Sequence, residues 1–390
     1  QVMMIYIVKP GDTVYSIAAA YGISQESVIY DNQLVPPYAL AVGQALLLSG
    51  ADSTGASGEM MIPASSEERS VYVGGYAYPF ISRSVLEQTL PYLSDLYIFS
   101  YGFTSAGMLV PPAVDDTWMI DLAKEYEAAP VLTLTPFGPD GRFNNRLISA
   151  VVNDLGARET LKNEIVGQIR ERGFEGLDID FEYILADDRQ AFVDFVIYMR
   201  EAVNALGYPV SVALAPKTSA DQTGLLYEGK DYPALGAAAD YVLLMTYEWG
   251  YTYGAPMAVA PLNKVRQVVE YAITEISPEK IHLGIPNYGY DWPLPFVRGE
   301  TRAETLGNVE AVQRAVSIGA SILYDEIAQA PYYRYWSGNT EHEVWFEDVR
   351  SMNGTFDLIE EYGLRGASYW NIMKLFLANW LLLDQRFVIS

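Results

Sequence analysis

The segment Phe174-Glu175-Gly176-Leu177-Asp178-Ile179-Asp180-Phe181-Glu182-Tyr183 sets three carboxylates at alternate positions. Side chains along a strand alternate faces with a period of two. Asp178, Asp180 and Glu182 therefore share one face, and Leu177, Ile179 and Phe181 take the other. Three ionised carboxylates on one face repel one another. A fold tolerates such a row when a proton is shared among the acids or when a cation is bound. The first arrangement keeps one carboxyl protonated near neutral pH, which general-acid catalysis requires. The second reads as a metal-binding D-x-D, which needs further oxygen ligands. A solvated acidic edge strand is the third reading, and the large apolar residues in between argue against it.

Other catalytic chemistries are thinly supplied. The 390 residues include no cysteine and two histidines, His282 and His342. Disulfides, thiolate zinc sites, cysteine nucleophiles and a three-histidine zinc centre are thereby excluded. His282 reads as a strand residue with satisfied hydrogen bonds, which leaves hydrolytic chemistry to the carboxylates. A formal net charge of −24 repels phosphate backbones and anionic lipids, so neither nucleic acid nor a membrane surface is an expected partner. The most apolar stretch, Leu375–Leu383, is far shorter than the ~20 residues that cross a bilayer. Gln1–Tyr6 show no basic region followed by an apolar core, so no signal peptide is visible. No metal or other cofactor is expected, and the expected state is a monomer.

The elements that must position the acids follow from the apolar pattern. Eight short apolar runs begin at Val71, Leu96, Val131, Gly176, Val210, Tyr241, Ile281 and Gly366. Amphipathic stretches such as 158–173, 189–206 and 262–276 fall between them. Eight buried strands with helical crossovers predict a (β/α)8 TIM barrel, and Glu182 then reaches the C-terminal rim where barrel active sites lie. A small α+β insertion is expected at about 296–350, between the seventh and eighth strands. An open doubly wound sheet is the competing fold, but no G-x-G-x-x-G follows the first strand.

Residues 1–50 read as a separate β-α-α-β module. Pro10-Gly11 makes a turn, Asp12 or Thr13 caps a helix that Gly22 ends, and Ser24 caps a second helix. Residues 51–70, rich in Ser, Gly and Ala and without aromatics, are expected to be a flexible linker to the barrel at 71–390.

The acid row after Gly176 resembles the D-G-x-D-x-D-x-E signature of glycoside hydrolase family 18, the chitinase-like family. Met245-Thr246-Tyr247-Glu248 resembles the family's M-x-Y-D, Pro286–Trp292 its seventh-strand P-x-Y-G segment, and Gly366–Trp370 its eighth-strand segment ending in Trp. Glu175 and Glu248 stand where the family usually has Asp, and Tyr290 where chitinases commonly have Arg. In the first module, Tyr6-x-Val8-Lys9-Pro10-Gly11-Asp12-Thr13, Asn32 and Gly43-Gln44-x-Leu46 resemble LysM. The order LysM then barrel, with Tyr-Glu-Trp-Gly after Met245-Thr246, is similar to the spore cortex-lytic N-acetylglucosaminidases. The subgroup implies association with the spore or cell wall of a spore-forming bacterium.

The resemblance implies a retaining hydrolysis in which the substrate's 2-acetamido group is the nucleophile, an exception to the two-carboxylate rule. Glu182 would protonate the leaving oxygen, Asp180 orient the acetamido N–H, Asp178 share a proton with Asp180, and Tyr247 donate to the acetamido carbonyl. Trp370 would floor the reacting sugar, with Glu248, Trp249, Tyr288, Tyr76 and Tyr101 as further substrate contacts. In the LysM module, Gly11, Asp12, Thr13, Asn32 and Leu34 would bind glycan. The implied partner is an N-acetylglucosamine-containing polysaccharide, peptidoglycan or chitin. Without the resemblance, Tyr247 and Trp370 could be packing residues, Gly11 a turn, and Asp12 or Thr13 a cap. A catalytically inactive glycan-binding protein on the same fold is the alternative function, which retention of Glu182 argues against.

Overall fold

The computed structural model describes residues 1–52, 60–64 and 69–390. Eight parallel strands run Ser70–Ala77, Asp95–Phe103, Ala129–Leu134, Leu177–Ile179, Val210–Leu214, Tyr241–Leu244, Ile281–Pro286 and Gly366–Trp370. The sheet closes because the first strand pairs with the second, Gly74 opposite Asp95, and also with the eighth, Tyr72 opposite Gly366. The expected TIM barrel is therefore the observed one.

Helices cover the outside. Leu155–Arg172 shows why they form where they do. The Asp154 carboxylate accepts the Gly156 and Ala157 N–H groups, and Gly173 ends the helix in a left-handed conformation. Ala157, Leu161, Ile165 and Ile169, four residues apart, make its buried stripe. They join Leu177, Ile179 and Phe181 in one core. With the apolar alternation of the fourth strand committed outward, its acids can only point into the lumen. Each such fully buried Leu or Ile contributes about 1.5–3 kcal/mol, and Leu161→Ala alone should cost ~2–5 kcal/mol.

The insertion follows the seventh strand and begins earlier than the sequence suggests. Gly289–Pro293 is not a continuation of the barrel strand but the first strand of a five-stranded antiparallel sheet. Asn287 makes the break: its side-chain amide donates to the carbonyls of Asn371 and Lys374, turning the chain out of the barrel ladder. Helix Asn308–Ile318 packs on this sheet, giving the α+β unit.

The N-terminal module has helices Val14–Tyr21 and Gln25–Asp31, capped by Thr13 and Ser24 as expected. Its sheet has a third strand. Met60–Ile62 pairs antiparallel with Val2–Ile7, so the expected linker carries structure there. The rest of that expectation, 53–59 and 65–68, lies outside the described residues. The module is seated on the barrel. Ile5, Leu47 and Ile62 belong to the barrel's own core, and the Leu377 N–H donates to Gln33 Oε1 at 2.8 Å. The Ile322 N–H donates to the Val42 carbonyl at 2.7 Å, and Arg350 reaches the Gly43 carbonyl at 3.1 Å. Gly43 has φ +87°, and a Cβ there would stand 1.9 Å from the Ile322 carbonyl oxygen, so only glycine allows this approach.

Candidate active site

Asp178 sits in register between Thr133 and Ser211 on the neighbouring strands. It is fully buried, accepting from the Tyr76 hydroxyl at 2.6 Å and from Ser211 Oγ at 2.8 Å. Burial pushes its carboxyl up to about 6, and these two donors restrain the rise. Asp180 follows, its N–H continuing the ladder to the Leu134 carbonyl at 2.9 Å. Burial, together with the charges of Asp178 and Glu182, pushes Asp180 up to about 8. Glu182 is also raised, by burial first, against the lowering effect of Lys230. The row therefore titrates as a set and holds a proton near neutral pH.

Aromatic side chains enclose the row. Tyr76, Asp180, Met245, Tyr247 and Trp370 line one cavity at the mouth of the barrel. Trp370 stands edge-on to Phe99, with centroids 4.8 Å apart, and lies 5.4 Å from Tyr76. Burial and the nearby acids hold the Tyr247 hydroxyl well above its usual range, so it remains a donor. Glu248 has a positive φ of 71°, uncommon for a residue with a side chain and characteristic of functional loops. Its carboxylate accepts from the Tyr288 and Tyr290 hydroxyls. Tyr288 is buried, so its hydroxyl acts by fixing Glu248. Below the row, Tyr76 stacks on Tyr97, the Tyr97 and Tyr241 hydroxyls lie 2.8 Å apart, and Tyr241 stacks on His282. His282 accepts from Arg365 at Nε2, leaving Nδ1–H for Ser368 Oγ at 3.0 Å. Burial and Arg365 push its pKa down, so it stays neutral, a satisfied strand histidine as the sequence suggests.

Two expected substrate contacts lie elsewhere. Tyr101 is on the helix side of the barrel, fully buried, with its ring against Phe174 and its hydroxyl donating to Asp116 at 2.6 Å. Strict alternation from Tyr97 through Phe99 would have put Tyr101 in the lumen. An irregularity between Ile98 and Tyr101 shifts the register against the third strand and reverses the face. Trp249 packs against the barrel's apolar core rather than lining the cavity, and its backbone N–H donates to the Val259 carbonyl.

In the N-terminal module, Gly11 is exposed at φ +87°, with open space where a Cβ would be. The Asp12 carboxylate accepts from the Tyr6 hydroxyl and the Lys9 N–H, and Thr13 forms a capping box with Ser16. Asn32 is committed internally: its amide donates to the Val28 and Leu47 carbonyls and accepts the Leu47 N–H. Leu34 packs against the module's core.

Sequence reasoning missed Lys230, which is fully buried and raises no signal of its own within Tyr227-Glu228-Gly229-Lys230-Asp231. Ser211, the second donor to Asp178, was also missed. Its place opposite Asp178 in the strand register could have found it. Among the described residues, no group of three or more His, Cys, Asp or Glu is arranged to hold a metal ion. Nor is any helix there long and apolar enough to cross a membrane.

A closed (β/α)8 barrel with an acid row at its C-terminal mouth, walled by aromatic rings, has the layout of a carbohydrate-cleaving hydrolase. The chain belongs to the glycosyl hydrolases family 18, whose model matches residues 138–374, and residues 6–49 match the LysM domain. It is a glycosidase. It is 36% identical to the cortical fragment-lytic enzyme of Bacillus subtilis (strain 168), over 99% of this chain and 98% of the relative. The crystal structure of the Bacillus cereus spore cortex-lytic enzyme SleL superposes with a TM-score of 0.93 at 32% identity, over 100% of this chain and 99% of that one. The Bacillus megaterium QM B1551 spore cortex-lytic enzyme SleL gives 0.91 at 33% identity, over 99% and 98%.

Proposed function

We propose that this glycosidase cleaves N-acetylglucosamine linkages in peptidoglycan of the spore cortex type, by substrate-assisted catalysis with retention. The observation that carries the reading is the row Asp178–Asp180–Glu182, whose middle member lines one cavity with Tyr247 and Trp370 and whose three acids all act on the Tyr247 hydroxyl. The cortex-lytic names of the full-length relatives support peptidoglycan over chitin as the polymer.

Glu182, whose carboxyl burial pushes above its ordinary range, gives its proton to the glycosidic oxygen as that bond breaks. The acetamido carbonyl oxygen attacks the anomeric carbon, closing an oxazolinium ring. Asp178 takes up the shared proton so that Asp180 presents a carboxylate to the acetamido N–H. The Tyr247 hydroxyl donates to the carbonyl oxygen and fixes its direction of attack. Water, deprotonated by Glu182, then opens the ring. Trp370 offers an aromatic face to the C–H bonds of the sugar.

The N-terminal module would hold the polymer chiefly through Gly11, Asp12 and Thr13, in the loop that the barrel leaves open. Mass spectrometry of products from cortex peptidoglycan and from chitin oligomers tests the substrate. Peptidoglycan fragments ending in N-acetylglucosamine are expected. Efficient cleavage of chitin oligomers with intact cortex would contradict the reading.

A further inference from the structure

A row of three acids, Asp178 fully buried and Asp180 and Glu182 partly so, needs a compensating positive charge or a shared proton, and here the protein supplies the charge itself. Lys230 lies between the fifth barrel strand and helix Tyr232–Ala238, and is fully buried. Its ammonium donates to the Phe181 carbonyl and, at 3.2 Å, to the Ala213 carbonyl. The Phe181 carbonyl belongs to the peptide that joins Asp180's neighbour to Glu182, so the ammonium is anchored on the acid-bearing segment itself. It also lies 5.3 Å from the centroid of the Phe192 ring.

The local chain is built to bring it there. A Cβ on Gly229 would stand 2.0 Å from the Ile184 carbonyl oxygen, so only glycine lets this loop close on the segment after the acids. Lys217, itself buried, donates from Nζ to the Lys230 carbonyl at 2.9 Å and holds the backbone. The charged groups that act on the Lys230 ammonium are Asp180, Glu182 and Asp178. Among the described residues, it is the cation whose charge acts on all three acids of the row.

We propose that Lys230 is the positioning residue of the acid row, an internal counter-ion that fixes how many protons the row carries and so sets the pH at which Glu182 is an acid while Asp180 can become a carboxylate. This rests on the reading that the row performs the hydrolysis. The charge lowers the proton affinity of all three acids, against burial, which raises it. Burial pushes Lys230 itself down to about 8, with the three acids opposing, so it remains mostly charged at neutral pH.

The test is the pH dependence of kcat/KM in Lys230→Met. Without the charge, every proton in the row is harder to remove. Both limbs should therefore move to higher pH, by about one to two units for a charge outside ion-pair contact at an effective dielectric near 20. KM at the new optimum should change little. Lys280→Met, which removes a partly buried ammonium that donates to the Gly236 carbonyl and does not act on the row, should keep the wild-type limbs. Wild-type limbs in a folded Lys230→Met enzyme, whatever its loss of kcat, would overturn the proposal and leave Lys230 a packing residue.

Should Lys230→Met fail to fold, 13C-labelled lysine NMR of the otherwise intact protein decides. A buried lysine signal should titrate at lower pH in Glu182→Gln and Asp180→Asn, because each removes a negative neighbour. A midpoint unmoved in both contradicts the proposal. Full activity in Glu182→Gln would instead sink the reading of the row as catalytic, and the NMR coupling would stand or fall independently.

Discussion

At the scale of single residues, the acid row is kept useful by the unequal surroundings of its members. Asp178 has two hydroxyl donors, Asp180 has two acidic neighbours, and Glu182 lies nearest the solvent end. Glu182→Gln keeps the shape and removes the transferable proton, so turnover should fall by roughly 10²–10⁴-fold with saccharide binding retained. Steady-state rates alongside calorimetric binding check this. The row also costs stability. Asp180, raised to about 8 in the folded chain, binds more protons there than when unfolded. Its favourable contribution is fully present below pH 4 and is lost as pH rises through 8. Asp180→Asn should therefore become progressively more stable than wild type over that window, by up to about 1.4 kcal/mol per pH unit. Urea denaturation at several pH values measures the difference, and a constant gap contradicts the assignment. The acids themselves were legible, because their spacing matches the strand period. Lys230 was not, because it reaches the row from a loop on a different element and no local pattern marks such a lysine.

At the scale of elements, each barrel strand is short, and its parity decides which side chains reach the lumen. The fourth strand keeps strict alternation, so sequence reading placed its acids correctly. In the second strand one irregularity after Ile98 reverses the face of everything beyond it, and Tyr101 moves from expected sugar contact to structural anchor. Sequence alone did not reveal this, since Phe99-Ser100-Tyr101 fits either parity. Tyr101→Phe would leave the buried Asp116 carboxylate without one of its donors while the Arg172 guanidinium still pairs with it. The expected result is a loss of about 1–3 kcal/mol in stability with kcat/KM unchanged. A drop in kcat/KM at full stability would restore Tyr101 to the substrate site. The seventh strand teaches the same lesson at its end: Pro286–Trp292 resembles a seventh-strand segment, but Asn287 hydrogen-bonds across to the loop after the eighth strand and starts the insertion.

At the scale of the whole molecule, the LysM module and the barrel share apolar core, so the loop at Gly11, proposed to bind glycan, is carried at a fixed place relative to the barrel mouth. The composition of 51–70 suggested a loose tether, because Ser, Gly and Ala give no sign of Met60–Ile62 joining the module's sheet. Seating also depends on single atoms at long sequence separation, such as Gln33 with Leu377, which no local pattern reveals. Gly43→Ala should unseat the module: the new methyl would collide with the Ile322 carbonyl, and the positive φ adds strain. We expect more than about 1 kcal/mol of destabilisation and faster proteolysis between module and barrel, with hydrolysis of short soluble oligomers retained. Sedimentation with insoluble peptidoglycan should weaken in parallel. Unchanged protease resistance would show that the contact at Gly43 does not hold the two parts together.

The central claim is that the substrate's own acetamido oxygen is the nucleophile, brought into line by Asp180 and Tyr247 while Glu182 supplies the proton. Internal attack and water attack each invert the anomeric carbon once, so the first-formed product must carry the configuration of the bond that was cut. Proton NMR of the initial reducing ends, recorded before mutarotation, measures this directly on a β-linked N-acetylglucosamine substrate. The β-anomer appearing first is the predicted result; the α-anomer appearing first would contradict the account.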